Sequence, residues 1–88
     1  MMGSRRDRIE GRIRSFLGER YPALRGDIER LGPNDPLWGA VSSMALLELV
    51  DFIETAFQLE VRPLDYVPEN FGTLECITRF IVERTGVT

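Results

Sequence analysis

The chain contains no histidine. Its absence removes imidazole acid–base catalysis and the commonest protein ligand for zinc and iron. There is a single cysteine, Cys76, so no internal disulfide can form, which fits a reducing compartment. A lone thiol without a histidine also lacks the usual base for nucleophilic chemistry. Cys76 stands at helical spacing from Phe80 inside an apolar segment and reads as a packing residue. No apolar run approaches the roughly 18 residues that a membrane span needs. The opening "MMGSRRDRIEGR" carries arginines with no apolar stretch behind them, unlike a secretory signal. A cytoplasmic location with no membrane partner is therefore expected. Finally, no segment alternates apolar and polar residues over strand length. "LEVR" (Leu59 to Arg62) comes nearest and is too short and isolated to pair.

What is present describes a small globular chain. Eighty-eight residues allow one core and no second one. The expected organisation is a single domain over residues 1–88, with 1–4 flexible and a helical core over 5–85. A hydrophobic content of 43% is too high for a disordered chain. Charge is unevenly placed beneath the net value of −3: up to Asn34 there are eight arginines against five acids, and from Asp35 onward three arginines against nine acids. The cluster Arg5, Arg6, Arg8, Arg12 and Arg14 has the charge of a nucleic-acid contact. Asp7 and Glu10 are interleaved at pairing distance, no aromatic residue stands among these arginines, and the total is acidic. A solvated helix face is the better reading, and no nucleic-acid partner is expected.

Ile9, Ile13, Phe16 and Leu17 recur at helical spacing and predict a helix from Arg5 to Arg20, closed by Tyr21-Pro22. Ala23 to Leu37 reads as a long connection in which Leu24, Ile28 and Leu31 add at most a weak helical turn. "GPNDP" (Gly32 to Pro36) within it is turn chemistry. Leu46, Leu49, Val50, Ile53 and Phe57 form the apolar stripe of the best-defined helix, with Ser42 or Ser43 as its N-cap. Pro63 and Pro68 limit the next segment to a turn or two, with Pro68 suited to a first helical position. Thr73 caps a last helix carrying Leu74, Ile77, Phe80 and Ile81, which Gly86 ends. Trp38 reads as a structural anchor in the first loop. The fold class expected is all-α, a four-helix bundle of three main helices, one short helix and a long first loop.

The run "VSSMALLELVDFIETAFQLEV" resembles the central helix of acyl carrier proteins and their peptidyl and aminoacyl relatives. In that family an Asp-Ser-Leu or Asp-Ser-Met tripeptide opens the second helix, followed by a Glu-Leu pair, an acidic residue and a terminal Phe. Ser43-Met44, Glu48-Leu49, Glu54 and Phe57 fall in those places. "NFGTLECITRFI" is similar to the family's last-helix entry, with Phe71 and Thr73. The resemblance implies that Ser43 carries covalent 4′-phosphopantetheine, transferred from coenzyme A by a phosphopantetheinyl transferase. It also implies that the arm's thiol holds an acyl or aminoacyl group as a thioester. Two residues depart from the pattern: Ser42, which with Ser43 as the attachment point is expected to be the helix N-cap beside it, replaces the Asp thought to help bind the transferase's magnesium, and Ala40 replaces a Gly, with Gly39 one place earlier.

Carrier proteins offer an acidic face to basic patches on their enzymes, and here Glu48, Asp51 and Glu54 with Met44 are the partner-binding candidates. Exposed acids also simply keep a helix soluble. Reversing Glu48 or Glu54 is expected to leave stability nearly unchanged. The function implied is a monomeric, free-standing acyl or aminoacyl carrier, not an enzyme. It would serve a ligase and downstream synthase or transferase enzymes of fatty acid, polyketide or nonribosomal peptide biosynthesis. The other reading is an unmodified helical interaction module that keeps the fold without the arm.

Overall fold

The stripe of Ile9, Ile13 and Leu17 is buried on α1 (Arg5–Arg20), as the spacing predicts. The structure, a computed structural model, describes residues 4–86. Of the flexible lead expected at residues 1–4, residues 1–3 lie outside the described residues. Ser4 itself is held. Its Oγ accepts the Asp7 N–H at 3.1 Å and its own N–H donates to the Asp7 carboxylate at 3.3 Å, a capping box.

The chain then departs from the four-helix expectation. A 3₁₀ turn at Pro22–Leu24 leads into α2 (Arg25–Arg30), so five α-helices form among the described residues where three main and one short were expected. Six residues make a helix too short to stand alone in water. Tertiary contacts supply what propensity lacks. Ile28 is buried against the core, and the Arg14 guanidinium on α1 donates to the Ile28 carbonyl at 2.6 Å.

The loop that follows is pinned at both of its turns. Asp35 accepts the Gly32 N–H at 2.7 Å. Pro33's carbonyl accepts the Glu75 N–H at 2.9 Å, and the N–H of fully buried Leu37 donates to the Gly72 carbonyl at 2.8 Å. This loop delivers the chain to α3 (Ser43–Phe57), whose Leu46, Leu49 and Ile53 enter the core. Gln58, in the left-handed region, ends the helix. A 3₁₀ turn at Pro63–Asp65 precedes α4 (Pro68–Phe71), with Pro68 at its first position. Thr73 caps α5 (Leu74–Thr85) by accepting the Cys76 N–H, and Gly86 closes it at φ 70°. Cys76 is half-buried beside Arg79 and lies outside the core cluster that its apolar surroundings suggested. Among the described residues there is no strand, only a bridge between Trp38 and Val41.

Asp65 was not legible as important. Its buried carboxylate accepts from the Arg84 guanidinium and from the Arg62 backbone N–H at 3.0 Å, joining α5 to the turn before α4. The Arg84 hydrogen bond, with the Arg62 N–H, lowers its pKa from 3.8 to about 2. A depressed carboxylate stabilises the fold fully above its unfolded pKa and ceases to as pH falls through the folded one. The melting midpoint of the wild type should therefore fall between about pH 4 and pH 2 by more than that of Asp65→Asn, the two curves converging at the acid end. Parallel curves would remove Asp65 from acid unfolding.

Candidate functional site

Ser42 and Ser43 divide two tasks. Ser42 is extended at φ −73°, ψ 163°, and its Oγ accepts the Ala45 N–H at 3.1 Å. It is the N-cap, which decides between the two serines. Ser43 is the first helical residue, and its hydroxyl is exposed with no side-chain hydrogen bond among the described residues.

The turn that aims these serines explains the shifted glycine. Ala40 and Val41 both return their N–H groups to the Leu37 carbonyl, at 3.0 and 3.2 Å. Gly39 sits in that turn at φ 97°, where a side chain would be strained although a Cβ there meets nothing within 4 Å. The requirement at Gly39 is thus conformational, and Ala40 needs no such freedom. Trp38 anchors the loop as expected, through an indole N–H donated to the Phe71 carbonyl at 2.8 Å. Yet it is 43% exposed and stacks on Tyr66 at 5.7 Å between centroids. Trp38, Val41, Ser43, Leu46, Leu47 and Tyr66 line a groove of about 350 Å³. Met44 and Leu47 are 67% and 58% exposed beside it on the first turns of α3.

The three acids do not form one free face. Glu48 takes Arg20 on both carboxylate oxygens, at 2.9 and 3.1 Å, and also accepts from the Tyr21 hydroxyl. The hydrogen bonds from Arg20 and Tyr21 lower the Glu48 pKa, while the bond to Glu48 raises that of Tyr21. Glu54 accepts the Val61 N–H at 2.8 Å and so closes the loop after α3. Of the three, Asp51 alone is exposed. Reversal of Glu48 or Glu54 would therefore break internal bonds, against the expectation of near-neutral stability. Asp51→Arg is the clean test of a docking role: it should change stability by less than about 0.5 kcal/mol while slowing encounter with a basic partner surface. Equal rates at low salt would remove Asp51 from recognition.

Two of the clustered arginines of α1 are paired with carboxylates within the chain. Arg14 pairs with Glu10 at 2.8 Å and Arg6 reaches Glu75 on α5. Among the described residues no group of three or more His, Cys, Asp or Glu side chains is arranged to hold a metal, and no helix is long and apolar enough to cross a membrane.

No family model, curated protein or solved structure matches the chain.

Proposed function

We propose that this chain is an acyl or aminoacyl carrier protein in which Ser43 is the attachment point for 4′-phosphopantetheine. The observation that carries the reading is the division between the serines: because Ser42 supplies the capping oxygen, the Ser43 hydroxyl stands exposed on the first helical turn. The residues present fit the group. A phosphodiester on Ser43 would lie beside first-turn backbone N–H groups that lack intrahelical partners, at the positive end of a 15-residue helix. The groove of Trp38, Leu47 and Tyr66 opens beside the same oxygen and offers apolar surface to an extended arm.

When attached, the group supplies a thiol that holds cargo as a thioester. The protein's own residues fix the attachment point, through Ser42 and the Gly39 turn, and present Met44, Leu47 and Asp51 around it to partner enzymes. An exposed, flexible thioether suits a surface that must fit several partners in turn.

The test is intact mass after incubation with coenzyme A, magnesium and a broad-specificity phosphopantetheinyl transferase. A gain of one phosphopantetheine is expected. Ser42→Asp should load faster, because a carboxylate is the stronger ligand for a hard divalent ion and remains a good N-cap. No gain by either protein would leave the helical interaction module, the reading that the neutral Ser42 favours.

A further inference from the structure

Among the arginines of α1, Arg6, Arg14 and Arg20 each reach a carboxylate within the chain. Arg12 does not, among the described residues. Its guanidinium lies instead over the rings of Phe57 and Phe52, at 4.9 and 5.9 Å from their centroids. Phe52 in turn stacks on Phe16 at 4.4 Å. A guanidinium seated on aromatic rings is held in place by them while its charge stays uncompensated, ready for an incoming carboxylate.

Arg12, Phe16 and, from α3, Phe52 belong to a groove of about 540 Å³, to which α1 also contributes Arg8, Gly11 and Glu19. The spacings of three and four place the α1 members on one face over about three turns. Gly11 is the informative position. It lies in the interior of an α-helix, where glycine is the poorest choice after proline. Its conformation does not demand glycine, and a Cβ built there meets no atom within 4 Å. Among the described residues nothing uses the missing side chain, whereas a neighbour approaching α1 closely would.

We propose that this groove docks an amphipathic helix of a partner protein, with small or aliphatic residues against Gly11 and Phe52 and a carboxylate against Arg12. Helix-in-groove recognition needs an apolar floor and a charged rim, and both are here. Nucleic acid fits less well. The phenylalanine faces are already occupied by one another and by Arg12, which leaves no platform for a base. The site is separate from Ser43: Phe52 lies nine residues further along α3, about 13 Å at 1.5 Å per residue. Docking here is therefore independent of loading.

The experiment uses the full chain and a synthetic peptide of about 18 residues, long enough to form a helix, with a Leu/Ala stripe flanked by glutamates. Its twin replaces each glutamate by lysine. Calorimetry and amide chemical-shift mapping should find saturable binding of the glutamate peptide, with shifts around Gly11 and Phe52. Arg12→Glu should weaken it by about tenfold or more, the loss of one interface anchor. Gly11→Leu should weaken it similarly while holding or raising the melting midpoint, which separates lost binding from lost fold. The proposal is overturned by no saturable binding at millimolar peptide, by equal binding of the lysine twin, by undiminished binding to Gly11→Leu, or by shifts confined to the Ser43 groove. A concentration-dependent dimer in sedimentation that Arg12→Glu abolishes would make the occupant a second copy. Tighter binding of a single-stranded oligonucleotide than of the peptide would reassign the face to nucleic acid.

Discussion

Phe71→Ala should destabilise the protein by about 3–5 kcal/mol, the cost of emptying a large aromatic site in a core. That is a large share of the roughly 5–15 kcal/mol that holds a domain folded, and corresponds to a midpoint lowered by at least about 12 °C. Phe71 is fully buried on a four-residue helix, and its ring meets Tyr66 at 5.4 Å and Phe80 at 5.3 Å between centroids. Its carbonyl holds the Trp38 indole, and Tyr66 stacks on that indole. One side chain thus links α5 to the loop that aims Ser42 and Ser43. The loss should extend to the site: emission from Trp38, the sole tryptophan, should shift to the red even below the midpoint. Phe71→Leu, which leaves a smaller cavity, should cost less and keep the emission closer to that of the wild type. A Phe71→Ala protein melting within about 2 °C of the wild type, about half a kcal/mol, would mean that α4 is no part of the cooperative core.

The three long helices were legible because each carries three or more apolar residues at helical spacing, and punctuation marked their ends. Pro68 and Thr73 occupy the first helical and capping positions that their chemistry favours. What was not legible depends on partners distant in sequence. The helix α2 has one buried anchor, Ile28, and relies on a bond from Arg14, so no periodicity reveals it. The long loop is ordered by Gly72 and Glu75 on the far side of α3. Glu48 is visibly off the apolar stripe, but nothing local says that Arg20 and Tyr21 will meet it. Two further signals were present in the sequence. Leu47 breaks the stripe as an apolar residue on a polar face, and it is exposed beside Ser43. Gly39 stands where a turn needs a positive φ. The serine pair could not be resolved from spacing alone, because either hydroxyl can cap a helix; one residue of register separates the two roles.

That register supports the second large effect, total loss of loading in Ser43→Ala. The Ser42 Oγ accepts a backbone N–H and belongs to the helix end, whereas the Ser43 Oγ is exposed on the first turn. An acceptor for a phosphoryl group must present its oxygen to the donor in line, and no neighbouring hydroxyl with a structural bond to break is an equivalent substitute. Removing Ser43 should therefore abolish the mass gain while leaving the fold intact, since the capping bond survives. Removing Ser42 should cost about 1 kcal/mol of helix stability and leave loading at Ser43 possible. The deciding measurement is the intact mass of Ser43→Ala and Ser42→Ala after the same incubation with coenzyme A, magnesium and transferase, with melting curves to show both are folded. The account predicts no phosphopantetheine on Ser43→Ala and one on Ser42→Ala; a folded Ser43→Ala that still gains the arm would contradict it.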